Sequence, residues 1–531
     1  MRWHSRFLTT AAAALALSFV ADAAMAQKQG GTLKFYHRGT PPSGSIHEEA
    51  TNSTVAPYMS VYNNLVMYDQ HKSQNSLDAI IPDLATEWTW SDDFTRLTFK
   101  LRSGVKWHDG KPMTAKDVEC TWNLVTGKAK QKLRKNPRKS WYTNLDKVST
   151  NGDHEVTFHL KRPQPAFLAL LASGYSPVYP CHVSPKQMRT NPIGTGPFKF
   201  VELKQNERVV FTRNENYWKK DRPYLDGHEW TIIKSRATRV LAFIAGKFDM
   251  TFNADVTPPL AKDIKEQAPN AICDMLTTNV SVNLIVNRDS PPFDNADIRT
   301  AMAMTVDRQA FVDILYLGQA VMGGAMMPPP SGVWGIPSDQ LSNVVGYGDV
   351  AANREKARGI MKKLGYGPDN ALKVKVSTRN IAVYRDPAVI LIDHPKEIYI
   401  DAELDTVETS NWHAKVARKD YQVGLNLTGI GVDDPDANFY ENYACGSQRN
   451  YTGYCNQEMM KLFEKQSMMT DQEARKKLVW QIDKKLQEDV ARPIMLHTKA
   501  ATCRQPHVKG FTAMSNSLYN GWRLEDVWLD K

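Results

Sequence analysis

The sequence lacks the short motifs that mark several common classes of enzyme and metal-binding protein. It has no C-x-x-C pair, which excludes the thioredoxin-like and zinc-ribbon patterns. It has no G-x-x-x-x-G-K-S/T loop for nucleotide phosphates and no G-x-S-x-G turn for a nucleophilic serine. Gly429-Ile430-Gly431 begins like a dinucleotide-binding loop, but Asp434 stands where the third glycine is needed.

Long apolar runs are absent beyond the amino terminus, so the sequence predicts no membrane-spanning helix there. Residues 1–26 have the pattern of a cleavable secretory signal, with Arg2 and Arg6 ahead of the short apolar run Leu8–Val20. Ala24-Met25-Ala26 forms a small-residue cleavage site. We expect a soluble, exported protein that is cleaved after Ala26 and carries no lipid, since no cysteine follows the site.

The composition is that of a large globular protein. Of the 531 residues, 42% are hydrophobic and 10% aromatic, which supplies core material for more than one lobe. The formal net charge is +10, and the densest basic segment, Lys128–Lys139, has seven basic residues and no acidic one. Because no nucleic-acid-binding module surrounds this segment, we interpret it as a solvated loop and expect no nucleic-acid partner. An adhesive or nucleic-acid-binding role for this segment stays a third hypothesis.

Six cysteines in an exported chain permit disulfide bonds. Cys445 and Cys455 are the closest pair in sequence, with nine residues between them, and we predict that they form a disulfide. Closing such a loop contributes roughly 2–4 kcal/mol by restricting the unfolded chain. The sequence leaves open the pairing of the other four cysteines: Cys120, Cys181, Cys273 and Cys503.

Helix and strand patterns are mixed along the chain and predict an α/β or α+β fold with more than one lobe. Alternating apolar residues predict a strand over 97–101 that turns and continues as a hairpin through 105–107. Thr114 and Asp117 form a capping box that predicts the start of a helix ending at Gly127.

Helix limits are also predicted in the second half of the chain. One longer helix is expected between Asp294 and Gly318. Thr470 and Glu473 form a capping box for a last helix, which ends at Pro493.

Four polar residues crowd one short stretch: Asp433, Asp434, Asp436 and Asn438. The last three match the first ligand positions of an EF-hand calcium loop, but Phe439 and Cys445 replace its required glycine and glutamate. We reject the EF-hand and predict no metal and no cofactor, while a looser calcium site stays open. The second hypothesis is an exported hydrolase or metal-dependent enzyme that uses the Asp433–Asp436 cluster for acid–base chemistry.

Several segments follow one another in an order that is specific as a set. They are IIPDLATEWTWSDDFTRLTFKLRSGVKWHDGKPMTAKDV, NPIGTGPFKF with RNENYW, AGKFDM, DIRTAMAMTVDRQAFVDILYLGQAV, REKARGIMKKLGY, VDDPDANF and HVKGF. With these segments, the sequence resembles the family 5 extracellular solute-binding proteins of ABC importers, which include periplasmic dipeptide- and oligopeptide-binding proteins. The resemblance covers nearly the whole mature chain.

This resemblance implies an α/β, two-lobed periplasmic-binding-protein fold with an extra subdomain in the first lobe. On that pattern the first lobe comprises 27–66, 194–278 and 504–531, the extra subdomain 67–193 and the second lobe 279–503. The lobes close on a ligand by a hinge movement and deliver it to an ABC importer permease in the inner membrane. We therefore expect a monomeric, non-enzymatic periplasmic protein whose partners are a peptide or other small solute and a permease.

The resemblance also implies where a ligand amine is bound. Family members commonly carry Trp-x-x-Asp just before the Asp-Pro that matches Asp434-Pro435, and in peptide binders this aspartate pairs with the peptide's amino terminus. Here Thr428 and Gly431 stand at the tryptophan and aspartate positions, and Asp433 is a candidate substitute. Two ligand classes stay open: peptides, and a solute without that amine, such as a sugar, a modified peptide or an opine-like conjugate.

Four other ligand contacts are expected from the family pattern. Arg38 and Gly39 follow the first strand, which approaches the cleft in the family. Ser281 and Asn283 lie on the expected crossing into the second lobe. Arg38 is a candidate partner for a ligand carboxylate, and a surface arginine is the alternative.

Overall fold

The computed structural model describes residues 27–531, so the predicted signal segment 1–26 and its cleavage site lie outside the described residues. Within residues 27–531 the chain forms seventeen β-strands and fourteen α-helices, mixed along the chain as the sequence patterns predict. None of the helices in this range has both the length and the apolar character needed to cross a membrane.

The strands are, in chain order, β1 Thr32–His37, β2 Val66–Tyr68, β3 Ile80–Pro82, β4 Ala85–Trp90, β5 Arg96–Leu101, β6 Leu145–Thr150, β7 Glu155–Leu160, β8 Phe198–Lys204, β9 Arg208–Arg213, β10 Gly227–Ile232, β11 Ile272–Val286, β12 Leu372–Arg379, β13 Ile400–Val407, β14 Val423–Gly429, β15 Ile494–Arg504, β16 Val508–Lys509 and β17 Trp528–Leu529.

The helices are α1 Asn52–Tyr58, α2 Ala115–Thr126, α3 Phe167–Ala172, α4 Pro185–Thr190, α5 Arg236–Ile244, α6 Pro258–Gln267, α7 Ala296–Thr305, α8 Arg308–Tyr316, α9 Val350–Lys363, α10 Ala382–Leu391, α11 Thr409–Ala417, α12 Pro435–Asn442, α13 Gln457–Ser467 and α14 Gln472–Glu488.

Strand pairing builds two sheets that are central to the fold. The first has four strands in the order β1-β10-β9-β8, with β1 and β10 parallel. The second has five strands in the order β13-β12-β14-β11-β15, with β12 parallel to both of its neighbours. A separate antiparallel sheet, β4-β5-β7-β6, packs against α2 and belongs to the stretch predicted as the extra subdomain.

Two long strands, β11 and β15, connect the two central sheets. They pair with each other antiparallel along most of their length. Met250 forms bridges to Phe35 of β1 and to Arg504 of β15, which ties one end of the pair to the four-stranded sheet. At the other end, β11 also pairs with β14 of the five-stranded sheet. The register between β11 and β15 shifts between Thr277 and Ser281, so the ladder is interrupted midway.

The two central sheets support separate hydrophobic cores. In the first core Phe35 stacks on Trp230 with ring centroids 3.9 Å apart, and the core extends into the β4–β7 sheet. The second core is built on Leu284, Val376 and Leu425 from the five-stranded sheet, and none of these side chains is exposed. The first core also includes buried residues of α12, α13 and α14, so its packing continues from the four-stranded sheet into these helices. The five-stranded sheet has a core of its own.

Three disulfides join the six cysteines. The predicted pair, Cys445 and Cys455, is present. The four cysteines that the sequence left open pair as Cys120–Cys181 and Cys273–Cys503. The second of these bonds links β11 to β15 and so fastens the crossing strands to each other next to the four-stranded sheet.

The hairpin predicted over 97–107 is wrong in its pairing. β5 pairs with β4 and β7, whereas Val105 and Trp107 lie in a loop with buried side chains. Alternating apolar residues correctly indicated which side chains are buried. Alternation does not identify a strand's partner, because every buried strand carries the same pattern.

The limits predicted for the helix after Thr114 are confirmed. The Thr114–Asp117 capping box is present, and α2 ends at Gly127, whose φ of 81° suits glycine. The single helix predicted between 294 and 318 is instead two helices, α7 and α8. The chain breaks there because the Asp307 side chain caps α8, accepting a hydrogen bond of 3.0 Å from the Ala310 amide.

Candidate functional site

A cavity lies between the two central sheets, beside the crossing strands. The space in it that protein atoms do not fill is about 760 Å³, which includes volume open to solvent. Its walls come from the chain after β1 and at α1, from the carboxyl ends of β12 and β14, and from β11 and β15. Its charged and aromatic lining residues are Arg38, Tyr316, Arg379, Tyr384, His413, Arg449, Lys499 and Tyr519.

Arg38 reaches the cavity from the end of β1. Its guanidinium carbon lies 4.7 Å from the centre of the Phe252 ring, a distance at which the positive charge is attracted to the face of the ring. Its Nε is buried and has no hydrogen-bond partner among residues 27–531. Burial lowers the pKa of Arg38 from its usual value, because the charged form is removed from water.

Arg379 reaches the cavity from the end of β12 on the opposite wall. Its Nη1 donates to the Tyr384 hydroxyl at 2.8 Å and its Nη2 to the Thr409 hydroxyl at 3.2 Å. Its Nε is buried without a partner in the described chain. Arg379 is 2% exposed, so its side chain is held in one place by neutral hydroxyl groups.

Arg449 and His413 form the next part of the same wall. Arg449 Nη1 donates to the Ala50 carbonyl at 2.8 Å, so it joins this wall to the chain just before α1. Burial and the nearby Arg379 and Arg449 charges lower the pKa of His413 well below its usual value. The imidazole is therefore neutral at physiological pH.

Amide side chains supply neutral hydrogen-bonding groups on both walls. The Asn52 Nδ2 donates to the Asn253 Oδ1 at 2.6 Å on the wall beside α1. The Asn426 Nδ2 donates to the Thr428 hydroxyl at 3.0 Å on the wall formed by β14. These fixed groups can orient a polar ligand without adding charge.

Of the ligand contacts predicted from the sequence, Arg38 lines the cavity. Gly39 is next to it in the chain but outside the lining, and its amide donates to the His37 Nδ1 at 3.1 Å. Ser281, Asn283 and Thr428 lie buried in the paired strands β11 and β14, where they bond to one another rather than line the cavity.

Gly431 stands against aromatic rings rather than in the cavity. A Cβ atom at this position would lie 2.7 Å from the Trp141 ring and 3.1 Å from the Tyr175 ring. The Gly431 carbonyl accepts hydrogen bonds from Ser517 at 3.0 Å and Asn520 at 3.2 Å. An aspartate side chain does not fit here unless Trp141 moves, because adding atoms to a well-packed core forces neighbouring side chains out of place and destabilises the fold.

Asp433 is also buried away from the cavity. Its Oδ2 accepts hydrogen bonds from the Val333 amide at 3.3 Å and from the Asn516 amide group at 3.1 Å. Its Oδ1 has no partner in the described chain. Burial raises the pKa of Asp433 to about 7, because few donors replace the lost water.

The remaining carboxylates of the acidic cluster are held by one arginine. Asp434 caps α12 and accepts two hydrogen bonds of 2.8 Å from Arg475. Asp436 accepts from Gln466 at 2.6 Å and from Ser467 at 2.8 Å. Protein donors already occupy these oxygens, so the cluster is a structural network. Among residues 27–531, no group of three or more potential ligands is arranged to hold a metal ion.

Substituting Asp433 with asparagine is expected to remove a pH-dependent loss of stability. Burial moves the pKa of this carboxyl from its usual 3.8 to about 7. Between these values the folded protein keeps the proton while the unfolded chain loses it, so stability falls as the pH rises through this window. The loss is on the order of 4 kcal/mol, because one pKa unit corresponds to about 1.4 kcal/mol.

Urea unfolding of the wild type and the Asp433→Asn variant at several pH values between 4 and 8 measures this effect. The variant should lose much less stability as the pH rises. The exposed Asp92 provides a matched control, since Asp92→Asn should leave the wild-type pH dependence intact. Equal pH dependence in Asp433→Asn and wild type would contradict the assignment.

Two sheets joined by paired crossing strands, with a polar cavity between them, define a two-lobed ligand-binding protein. The family model described as bacterial extracellular solute-binding proteins, family 5 Middle, matches residues 79–450. The chain belongs to this family of extracellular solute-binding proteins, which agrees with the expected export.

Individual relatives agree with this assignment. The chain is 24% identical over 528 residues to a dipeptide-binding protein of Escherichia coli K12, covering 94% of this chain and 95% of the relative. The fold matches that of a Helicobacter pylori periplasmic binding protein in complex with the peptide STSA, with a TM-score of 0.83, 22% identity and coverage of 95% and 99% of the two chains. It also matches an A. tumefaciens R10 binding protein in complex with agropinic acid, with a TM-score of 0.82, 23% identity and coverage of 94% and 99%. The two-lobed periplasmic-binding-protein fold predicted from the sequence is thereby confirmed.

Sequence reasoning missed most of the cavity's polar lining, above all Asn52, Arg379, His413, Asn426 and Arg449. One signal was available for Arg379. It ends an alternating segment, KVKVSTR, and polar residues at the carboxyl ends of parallel strands commonly face ligands. His413 and Arg449 carry no such signal, since they come from a helix and a loop that meet the cavity only after folding.

Proposed function

We propose that the protein is the periplasmic solute-binding component of an ABC importer. It captures a peptide or peptide-like small solute between its lobes by hinge closure and delivers that solute to a permease in the inner membrane. The observation that carries the proposal is the polar cavity between two sheets that the paired strands β11 and β15 connect. A cavity in this position opens when the lobes separate and closes when they meet.

We assign the hinge to the interrupted ladder between Thr277 and Ser281. A register shift leaves backbone groups unpaired and makes the strands easier to bend there than in a continuous ladder. The proposed lobes are those of the family pattern, with 27–66, 194–278 and 504–531 in the first and 279–503 in the second. Residues 67–193 form the proposed extra subdomain.

The ligand class is proposed from the relatives together with this chain's own departures. The relatives named above bind a dipeptide, a short peptide and agropinic acid, so related folds take both peptides and opines. The position that pairs with a peptide amine in the family is Gly431 here, and Trp141 fills the space next to it. A non-peptide solute is therefore the second candidate ligand.

Catalysis, nucleic-acid binding and oligomer formation are not part of the proposal. The Asp434 and Asp436 carboxylates bond to Arg475, Gln466 and Ser467, which supports a structural role for the acidic cluster. Within the basic segment, Arg134 pairs with Glu49 at 2.7 Å, which supports a role within the protein. We propose a monomer exported by a signal that is cleaved after Ala26.

Co-purification tests the proposal most directly. The protein is isolated from its native host, and small molecules released on denaturation are identified by mass spectrometry. The identified solute is then titrated into ligand-free protein in thermal-shift and calorimetric experiments. At 100 times its Kd, it should stabilise the folded state by about 2.7 kcal/mol. Failure to find saturable binding of any solute class would overturn the transport role.

A further inference from the structure

We infer that the solute is anchored by acidic groups, two or more per molecule, rather than by a cationic amine. This inference rests on the proposed function, because it concerns the ligand of the same cavity. It narrows the ligand to small organic dianions without a free amine, such as peptides with an acidic side chain and a blocked amino terminus.

The first observation is the charge of the cavity lining. Four cationic side chains line the cavity, Arg38, Arg379, Arg449 and Lys499, and no aspartate or glutamate of the described chain is among the lining residues. A lining of one sign attracts ligand groups of the other sign and repels like charge. A ligand ammonium group therefore meets several positive charges and no carboxylate.

The second observation is that three of these four cations lack protein counter-charges. Within residues 27–531, no carboxylate forms an ion pair with Arg38, Arg379 or Lys499, whereas Arg449 pairs with Glu441 at 3.2 Å. The nearby Asp255 already pairs with Arg239, whose guanidinium donates hydrogen bonds of 2.7 and 2.9 Å to the carboxylate. A buried guanidinium without an anion is costly, and a carboxylate from the ligand satisfies it with two parallel hydrogen bonds.

The third observation is geometric. Arg38 stands on the wall beside β1 and Arg379 on the wall beside β12, so the two cations line the cavity from opposite walls. A ligand with acidic groups at two positions can contact both walls at once. Such a ligand favours the closed arrangement, because the arginine of one wall alone neutralises only one of its acidic groups.

A second recess adjoins the cavity. A recess that shares Ala50, His413 and Arg449 with the cavity is also lined by Arg134 and Lys135 of the basic segment Lys128–Lys139. The two glutamates in that recess are already bound, one to Arg134 and one to Arg189. Since Arg134 pairs with one of these glutamates, Lys135 is the basic-segment residue of this recess that forms no ion pair within residues 27–531.

Matched probes test the inference on the full mature chain. The acidic probes are N-acetyl-Ala-Glu and N-acetylglutamate. The neutralised probe is the diamide of N-acetyl-Ala-Glu, and the zwitterionic probes are Ala-Ala and Ala-Gln. Calorimetry should show binding of at least one acidic probe, with both the diamide and the zwitterions binding at least tenfold more weakly. Raising the salt concentration should weaken the acidic probe more than the others.

Two variants locate the effect. Arg38→Gln and Arg379→Gln should each weaken the acidic probe by about 10- to 100-fold, the range for hydrogen bonds to charged groups. Arg38→Gln should leave the unliganded melting temperature unchanged or higher, because it removes a cation without a counter-charge. Arg208→Gln, on the surface beside Glu202, is the matched control and should bind as the wild type does.

The outcomes separate the two proposals. Zwitterions or the diamide binding as tightly as the acidic probes would overturn the inference and leave the proposed function standing. No binding of acidic probes would also overturn it. If, in addition, neither zwitterions nor any co-purified molecule binds, the proposed function fails as well.

Discussion

Replacing Arg475 with methionine is expected to destabilise the protein by about 3–5 kcal/mol. Its guanidinium bonds to both oxygens of Asp434 at 2.8 Å and also lies 3.4 Å from Asp436. All three side chains are buried, so the variant leaves two carboxylates near each other without a cation. Methionine fills much of the same volume, which limits the effect to the lost charge and hydrogen bonds.

Urea unfolding followed by circular dichroism measures this loss. Lys484, further along the same helix, provides the control, since its ion pair with Glu488 is exposed and Lys484→Met should change stability by less than about 1 kcal/mol. Adding Asp434→Asn to Arg475→Met should restore part of the stability, because one unpaired charge is removed. A loss below about 1 kcal/mol in Arg475→Met would show that the network does not depend on the arginine charge.

Replacing Gly429 with alanine is expected to weaken binding of the co-purified solute by about 10- to 100-fold. A Cβ atom at Gly429, at the end of β14, would overlap the hydroxyl of Tyr519, which belongs to the carboxyl-terminal segment on the opposite wall. The closed arrangement therefore needs a residue without a side chain here. Overpacking of this kind costs about 1–3 kcal/mol, and about 1.4 kcal/mol corresponds to a tenfold change in affinity.

The effect should be confined to the closed state. The unliganded melting temperature of Gly429→Ala should match the wild type, because separated lobes no longer bring Tyr519 against this position. Gly359→Ala in α9 is the control, since no atom lies within 4 Å of its added Cβ, and it should bind normally. Normal solute affinity in Gly429→Ala would show that the walls do not meet at this contact when ligand binds.

Local features of the fold were predictable from the sequence to the extent that neighbouring residues create them. The Thr114–Asp117 box and Gly127 set both ends of α2, because each acts on backbone groups within one helical turn. The start of the last helix was predicted one residue early, since Asp471 rather than Thr470 accepts hydrogen bonds from the first turn. Its end at Pro493 was wrong, because α14 ends at Glu488. Strand partners were not predictable in this way, as the loop position of Val105 and Trp107 shows.

The candidate site was less accessible to sequence reasoning. Arg38 was identified because it follows the first strand of a recognisable pattern, and its place in the cavity lining agrees with that expectation. Ser281, Asn283 and Thr428 were selected for their place in the sequence, but their side chains bond within the sheet. The residues next to them in the sequence do not indicate whether their side chains line a cavity or bond to a neighbouring strand.

By itself, the sequence determined the family, the mixed α/β class, the Cys445–Cys455 disulfide and the absence of an aspartate at Gly431. Each of these depends on residue identity or on contacts between near neighbours in the chain. Only the tertiary structure decided that Trp141 fills the space at Gly431 and that Arg38 and Arg379 face one cavity without carboxylates. These residues are far apart in sequence, and their meeting depends on how whole sheets pack, which no local pattern encodes.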